Sequence, residues 1–79
     1  MLRTEALERI RVILQDVFGV DPQDVTEDTT YQDVPDWDSM NHIILIATIE
    51  DELGVHFELD DYLDLKSVRK LLDYIEERC

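Results

Sequence analysis

Three stretches of this chain repeat their apolar residues at the spacing of a helix. Ala6, Leu7, Ile10, Ile13, Leu14 and Val17 follow an i, i+3, i+4, i+7 rhythm, with Glu5, Glu8, Arg9, Arg11 and Gln15 mainly between them. That pattern predicts a helix over 2–17 with one wet face, stopped by Gly19. A second helix is expected over 39–53, capped by Asp38 or Ser39 and ended by Gly54. Ser67 is placed to cap a last helix. There Val68, Leu71, Leu72 and Ile75 form a stripe, Tyr74 lies at its edge, and Arg69, Lys70, Asp73 and Glu76 face water. Asp60 is placed to cap a short helical turn through Tyr62 and Leu63, and Val55-His56-Phe57 is too brief to read as a strand. Burying these stripes together predicts an all-α fold. It is a small four-helix bundle of three longer helices and one short one, with a long loop after the first helix.

That loop, residues 20–38, holds Pro22, Pro35 and many Asp and Thr residues, with room for a short turn of helix. Loops this long in small domains are usually functional or pinned by their own apolar residues. Val20, Val25, Tyr31 and Val34 are the expected pins, and Trp37 is read as a further anchor.

Size and charge exclude several functions. The 79 residues predict a single domain, 1–79, whose thin core buries only about 60–65% of the unfolded surface. A substrate cleft of roughly 300 Å³ with its walls would strain so small a body, which argues against a self-sufficient enzyme. Twenty Asp and Glu against seven Lys and Arg leave a net charge of −13. Such a surface repels nucleic-acid phosphates and anionic membranes, and attracts basic proteins. The plainer role of that acid is solubility. A lone cysteine, Cys79, makes no internal disulfide and is followed by no prenylation box, so it reads as an incidental tail thiol. No signal-type or membrane-spanning apolar run is visible, so the expected location is cytoplasmic, without membrane insertion.

No metal site is expected. His42, His56 and Cys79 lack zinc-ligand spacing, and the acidic loop lacks an EF-hand pattern. Both histidines are read as surface or edge residues.

The second helix carries two apolar stripes rather than one. Leu45, Ile46, Ile49 and Leu53 suit the core. Met40, Ile43, Ile44 and Ala47 are rotated away from them, with Glu50, Asp51 and Glu52 behind as an acidic rim. A bundle this small cannot easily bury a helix on all sides, so part of the second stripe is expected to stay exposed as a partner surface. The alternatives are that both stripes are core, or that one makes a homodimer. Ser39 stands where loop meets helix. Its hydroxyl is reachable there, and a phosphate esterified to it would meet the partial positive charge of a helix start. Otherwise it is a plain capping serine.

Asp38-Ser39-Met40, with Ile43, Leu45, Ile46, Ile49, Glu50, Glu52, Leu53 and Gly54 in phase behind, resembles the acyl carrier protein family. The likeness runs over nearly the whole chain, through Val25-Thr26 and Tyr31 to Ser67-Val68 and Asp73-Tyr74-Ile75. It implies that Ser39 receives 4′-phosphopantetheine from coenzyme A by the action of a magnesium-using phosphopantetheinyl transferase. The arm's thiol would then hold an acyl or aminoacyl group as a thioester, and the protein itself would catalyse nothing. Asp38 would contribute to transferase recognition. Met40, Ile43, Ile44, Ala47, Glu50 and Asp51 match the positions that meet loading and transferring enzymes, whose docking patches would be basic. A monomer is expected, with a slit between its helices able to shelter an attached chain.

The sequence departs from the family pattern in places. Pro35-Asp36 replaces the usual Leu-Gly, Trp37 takes a small-residue position, and Ile44 stands where fatty-acid carriers commonly have an acid. The Pro-Asp-Trp-Asp-Ser-Met-Asn-His run resembles stand-alone carriers of specialised pathways, and Asp-Ser-Met is shared with D-alanyl carriers. The rival class is an acidic helical interaction module without a prosthetic group. A hydrolase using Ser39 as nucleophile lacks a plausible base partner, since no third group is evident to orient His42, three residues on.

Overall fold

Two glycines end the helices that carry most of the core. Helix α1, Arg3–Phe18, stops at Gly19 (φ +72°), whose N–H donates to the Gln15 carbonyl at 2.8 Å. Helix α2, Ser39–Leu53, stops at Gly54 (φ +68°), whose N–H donates to Glu50 O at 3.0 Å. Glycine takes this left-handed conformation without steric cost. Two further helices follow, α3, Leu59–Tyr62, and α4, Val68–Arg78. The computed structural model describes residues 2–78, the side chain of Leu59 excepted. Cys79, read above as a tail thiol, lies outside them. Among the described residues the architecture is all-α, with four helices, one 3-10 turn at Pro22–Asp24 and no strand.

Helix α1 packs against both α2 and α4. Its Ala6, Ile10, Ile13, Leu14 and Phe18 are buried against Leu45, Ile46 and Ile49 of α2 and Val68, Leu71, Leu72 and Ile75 of α4. Each large side chain taken out of water contributes about 1.5–3 kcal/mol before entropy is counted. Val55 and Phe57 fill the gap after α2, where Phe57 stacks on Tyr74 with ring centroids 4.9 Å apart.

The long loop is strapped to the start of α4. Val68 N–H donates to Thr29 O at 2.9 Å, Tyr31 N–H to Lys66 O at 3.1 Å, and Arg69 N–H to Glu27 O at 3.1 Å. Thr30 and Ser67 form an isolated antiparallel bridge. From α1, Arg11 Nε donates to Val25 O at 2.8 Å. At the other end of α1, Arg3 gathers Glu27, Asp73 and Glu76 at 2.6–2.8 Å, which ties loop and α4 to its first turn. The hydrogen bond from Arg3 holds the Glu27 carboxyl below its ordinary value.

Two expectations are corrected here. Tyr31 does not pin the loop: its ring is exposed, and Trp37 joins Val25 and Val34 as a buried pin, with Val20 partly buried. Asp60 does not cap the short helix. Its chain is caught earlier, where Glu58 N–H donates to the Tyr74 hydroxyl at 3.1 Å. Helix α3 therefore begins at Leu59, and Leu63 beyond it is exposed.

This packing makes a contrast within α2 measurable. Leu45→Ala leaves a cavity and is expected to cost about 2–5 kcal/mol in urea unfolding. Ile44→Ala, one residue away on the exposed face, is expected to stay within about 0.5 kcal/mol. Equal losses would show that both faces are core.

Candidate functional site

The chain has two serines, and the structure gives them different work. Ser67 Oγ accepts from Lys70 N–H at 3.2 Å and so caps α4, as expected. Ser39 does not cap α2. Asp38, in extended conformation, takes that role by accepting Asn41 N–H on Oδ1 at 2.9 Å. Asn41 in turn donates from its side chain to Asp36 O at 2.8 Å, which closes the loop end over the helix start. Ser39 is left exposed in the first turn, with its hydroxyl released from capping.

The residues that follow Ser39 divide sharply by face. Met40 is 79% exposed, Ile43 50% and Ile44 53%, and Ala47 lies open beside them. Leu45, Ile46 and Ile49 are buried, and Leu53 partly so. Of the acidic rim, Asp51 is exposed. Glu50 is half-buried, and its Oε2 accepts Phe57 N–H at 2.9 Å with the His56 ring 3.4 Å away. Glu50 thus serves the segment after α2 as well as the surface.

Beside Ser39 lies a cleft of about 240 Å³ lined by Tyr31, Trp37, Asp38, Ser39, His42 and Lys66. Trp37 and His42 are 2% and 1% exposed, so they form its base. This corrects the reading of His42 as a surface or edge residue. Its position 42 is in phase with 45, 46, 49 and 53, and that phase was the available signal. Burial is tolerated because both ring nitrogens have partners. His42 Nε2 lies 2.6 Å from the Tyr62 carbonyl, which can only accept. Nε2 therefore carries the proton, and Nδ1 accepts from Trp37 Nε1–H at 2.9 Å. Four rings, Phe18, Trp37, His42 and Tyr62, follow one another at centroid spacings of 5.9, 6.1 and 6.3 Å.

This geometry removes the hydrolase reading, because His42 has no free nitrogen to take a proton from Ser39. Among the described residues no group of three His, Cys, Asp or Glu side chains is gathered as metal ligands would be. No helix there is long and apolar enough to cross a membrane.

The family model described as "phosphopantetheine attachment site" matches residues 8–75. The chain belongs to the acyl carrier protein family. It is 31% identical over 78 residues to an acyl carrier protein of Thermosynechococcus vestitus, covering 99% of this chain and 96% of that one. It is 34% identical over 72 residues to the acyl carrier protein of Streptococcus pneumoniae serotype 4, covering 91% and 93%. Acyl carrier proteins carry rather than catalyse, and the matched family implies a phosphopantetheine prosthetic group.

The residues at the start of α2 fit such a group. An exposed hydroxyl, freed from capping, opens beside a cleft that holds one cation, Lys66. Beneath it Trp37, His42 and Tyr62 are bonded to one another through their polar atoms, and a separate cavity of about 380 Å³ opens beside α2, lined by Ile46, Glu50, Phe57 and Tyr62.

Burial, and secondarily the charge of Lys66, push His42 below its ordinary value of 6.5, against the opposing hydrogen bond of Tyr62 O. The neutral ring is therefore the folded form. Below pH 6.5 the unfolded chain protonates first, so stability contributed by this site falls until the lowered native value is passed. In urea unfolding, the advantage of the natural carrier over His42→Phe is expected to shrink from about pH 7.5 to about pH 5. A constant advantage would contradict the buried neutral ring.

Proposed function

We propose that Ser39 is the phosphopantetheine attachment site and that the 79 residues act as one carrier domain in a specialised biosynthetic pathway. The observation that carries the reading is the division of labour at the start of α2, where Asp38 caps and Ser39 stands exposed. A phosphopantetheinyl transferase would transfer the arm from coenzyme A to Ser39 Oγ, with Asp38 contributing to its recognition. When bound, the arm supplies a thiol that holds an acyl or aminoacyl group as a thioester. The protein's own residues present that arm, and the buried floor of Trp37 and His42 keeps its root at the surface.

Met40, Ile43, Ile44 and Ala47 are the proposed contact with loading and transferring enzymes, with Glu50 and Asp51 at its rim. An apolar strip on a body of net charge −13 suits partners with basic docking patches. Long-range attraction speeds encounter, and a small strip keeps affinity low, which is what a shuttle requires. The specialised role is supported by Pro35-Asp36-Trp37 before the serine and by Ile44 in place of an acid. Aminoacyl cargo remains the alternative within the same chemistry, and the cytoplasm is the proposed setting.

Intact mass after incubation with coenzyme A and a broad-specificity transferase tests the reading. One phosphopantetheine is expected on the natural chain and none on Ser39→Ala. No gain with several transferases would instead favour an interaction module without a prosthetic group. Ile44→Glu is expected to keep the unfolding midpoint of the natural chain while slowing acyl transfer by its partner enzyme. A large loss of thermal stability in that variant would move Ile44 into the core.

A further inference from the structure

Five arginines and two lysines are the formal cations of this chain. Arg3, Arg11, Arg69 and Arg78 are each paired with carboxylates at 2.6–3.8 Å. Arg9 donates to Glu52 O at 3.2 Å. Among the described residues neither lysine has a carboxylate in such reach. Lys70 lies on the open face of α4, where water solvates it. Lys66 is different: it is half-buried and lines the cleft beside Ser39.

The position of Lys66 is built by the backbone. Tyr31 N–H donates to Lys66 O at 3.1 Å, and the Thr30–Ser67 bridge locks the two segments side by side. The Lys66 ammonium then sits 5.6 Å from the centre of the Tyr31 ring, at cation–π range. The ring accounts for the exposure of Tyr31, which does not pin the loop but seats the lysine. The other charged group lining the cleft, Asp38, already has Oδ1 on Asn41 N–H. So in a protein of net charge −13, one cation lines the cleft of the candidate attachment point and, among the described residues, has no carboxylate within 4 Å.

We propose that Lys66, seated on Tyr31, is the counter-ion of the phosphodiester carried by Ser39, and that it holds the root of the arm in this cleft. The inference rests on Ser39 being the attachment point. A phosphodiester there adds one negative charge, and the ammonium donates to its free oxygens in a partly desolvated site, where such a pair is stronger than on open surface. Holding the root leaves the thiol end free to swing.

The test is a titration of the two lysine side chains by nuclear magnetic resonance, before and after loading with phosphopantetheine. Intact mass establishes the loading in the same samples. Lys66 is expected to hold its proton at least about threefold more tightly in the loaded protein, with Lys70 unchanged as the internal control. The gain is expected to shrink in Tyr31→Ala and at high salt. The phosphorus resonance of the loaded protein is expected to move in Lys66→Ala and not in Lys70→Ala. A fully loaded protein in which Lys66 titrates as it did before loading overturns the proposal and leaves Ser39 as the attachment site. Failure to load overturns the attachment reading, and this proposal with it.

Discussion

Two hydrogen bonds to one imidazole hold three separate segments at a point. His42 comes from α2, its Nδ1 partner Trp37 from the end of the long loop, and its Nε2 partner Tyr62 from α3. Each bond alone is worth about 1 kcal/mol net. The arrangement is stronger than that figure suggests, because removing the ring would strand a buried indole N–H and a carbonyl. Phe18 extends the ring ladder to the end of α1. The loop end is thereby fixed against α2, Asp38 is delivered to the cap, and Ser39 is turned outward. The exposure of one hydroxyl follows from packing several ångströms beneath it.

Charge and apolar surface are divided among different elements. Half of the cations of α1 and α4 tie the acidic loop down, Arg3 and Arg69 through Glu27 and Asp28 and Arg11 through the Val25 carbonyl. These pairs are largely exposed and contribute little individually. Their consequence is positional: they hold the strap that brings Tyr31 beside Lys66. Helix α2 carries no cation at all, and its outer face is aliphatic with acid behind it. A partner therefore meets grease at the centre and negative charge at the edge, which favours fast and reversible contact.

Much of this was legible in the sequence, for a physical reason. Helices α1 and α4 are amphipathic at 3.6-residue period, and both glycine stops occupy left-handed positions. The split of α2 into Leu45, Ile46 and Ile49 inside and Met40, Ile43 and Ile44 outside was readable because a small bundle has only one interior. What was not readable depended on partners distant in the chain. His42 shares the core phase, yet its polarity suggested the surface. Only the indole of Trp37 and the carbonyl of Tyr62 make its burial affordable. Tyr31 looked like an apolar pin, but its use depends on a backbone bond to Lys66, thirty-five positions away (31 to 66). Helix α3 is too short to have a period, and a Tyr74 hydroxyl on another helix decides where its chain enters.

The account turns on which oxygen bears the arm. Fragmentation of the loaded protein in the mass spectrometer locates it directly. The account predicts the added phosphopantetheine on residue 39 alone, with Ser67 and every threonine unmodified. An arm found on Ser67, whose hydroxyl caps α4, or spread over several hydroxyls, would contradict it.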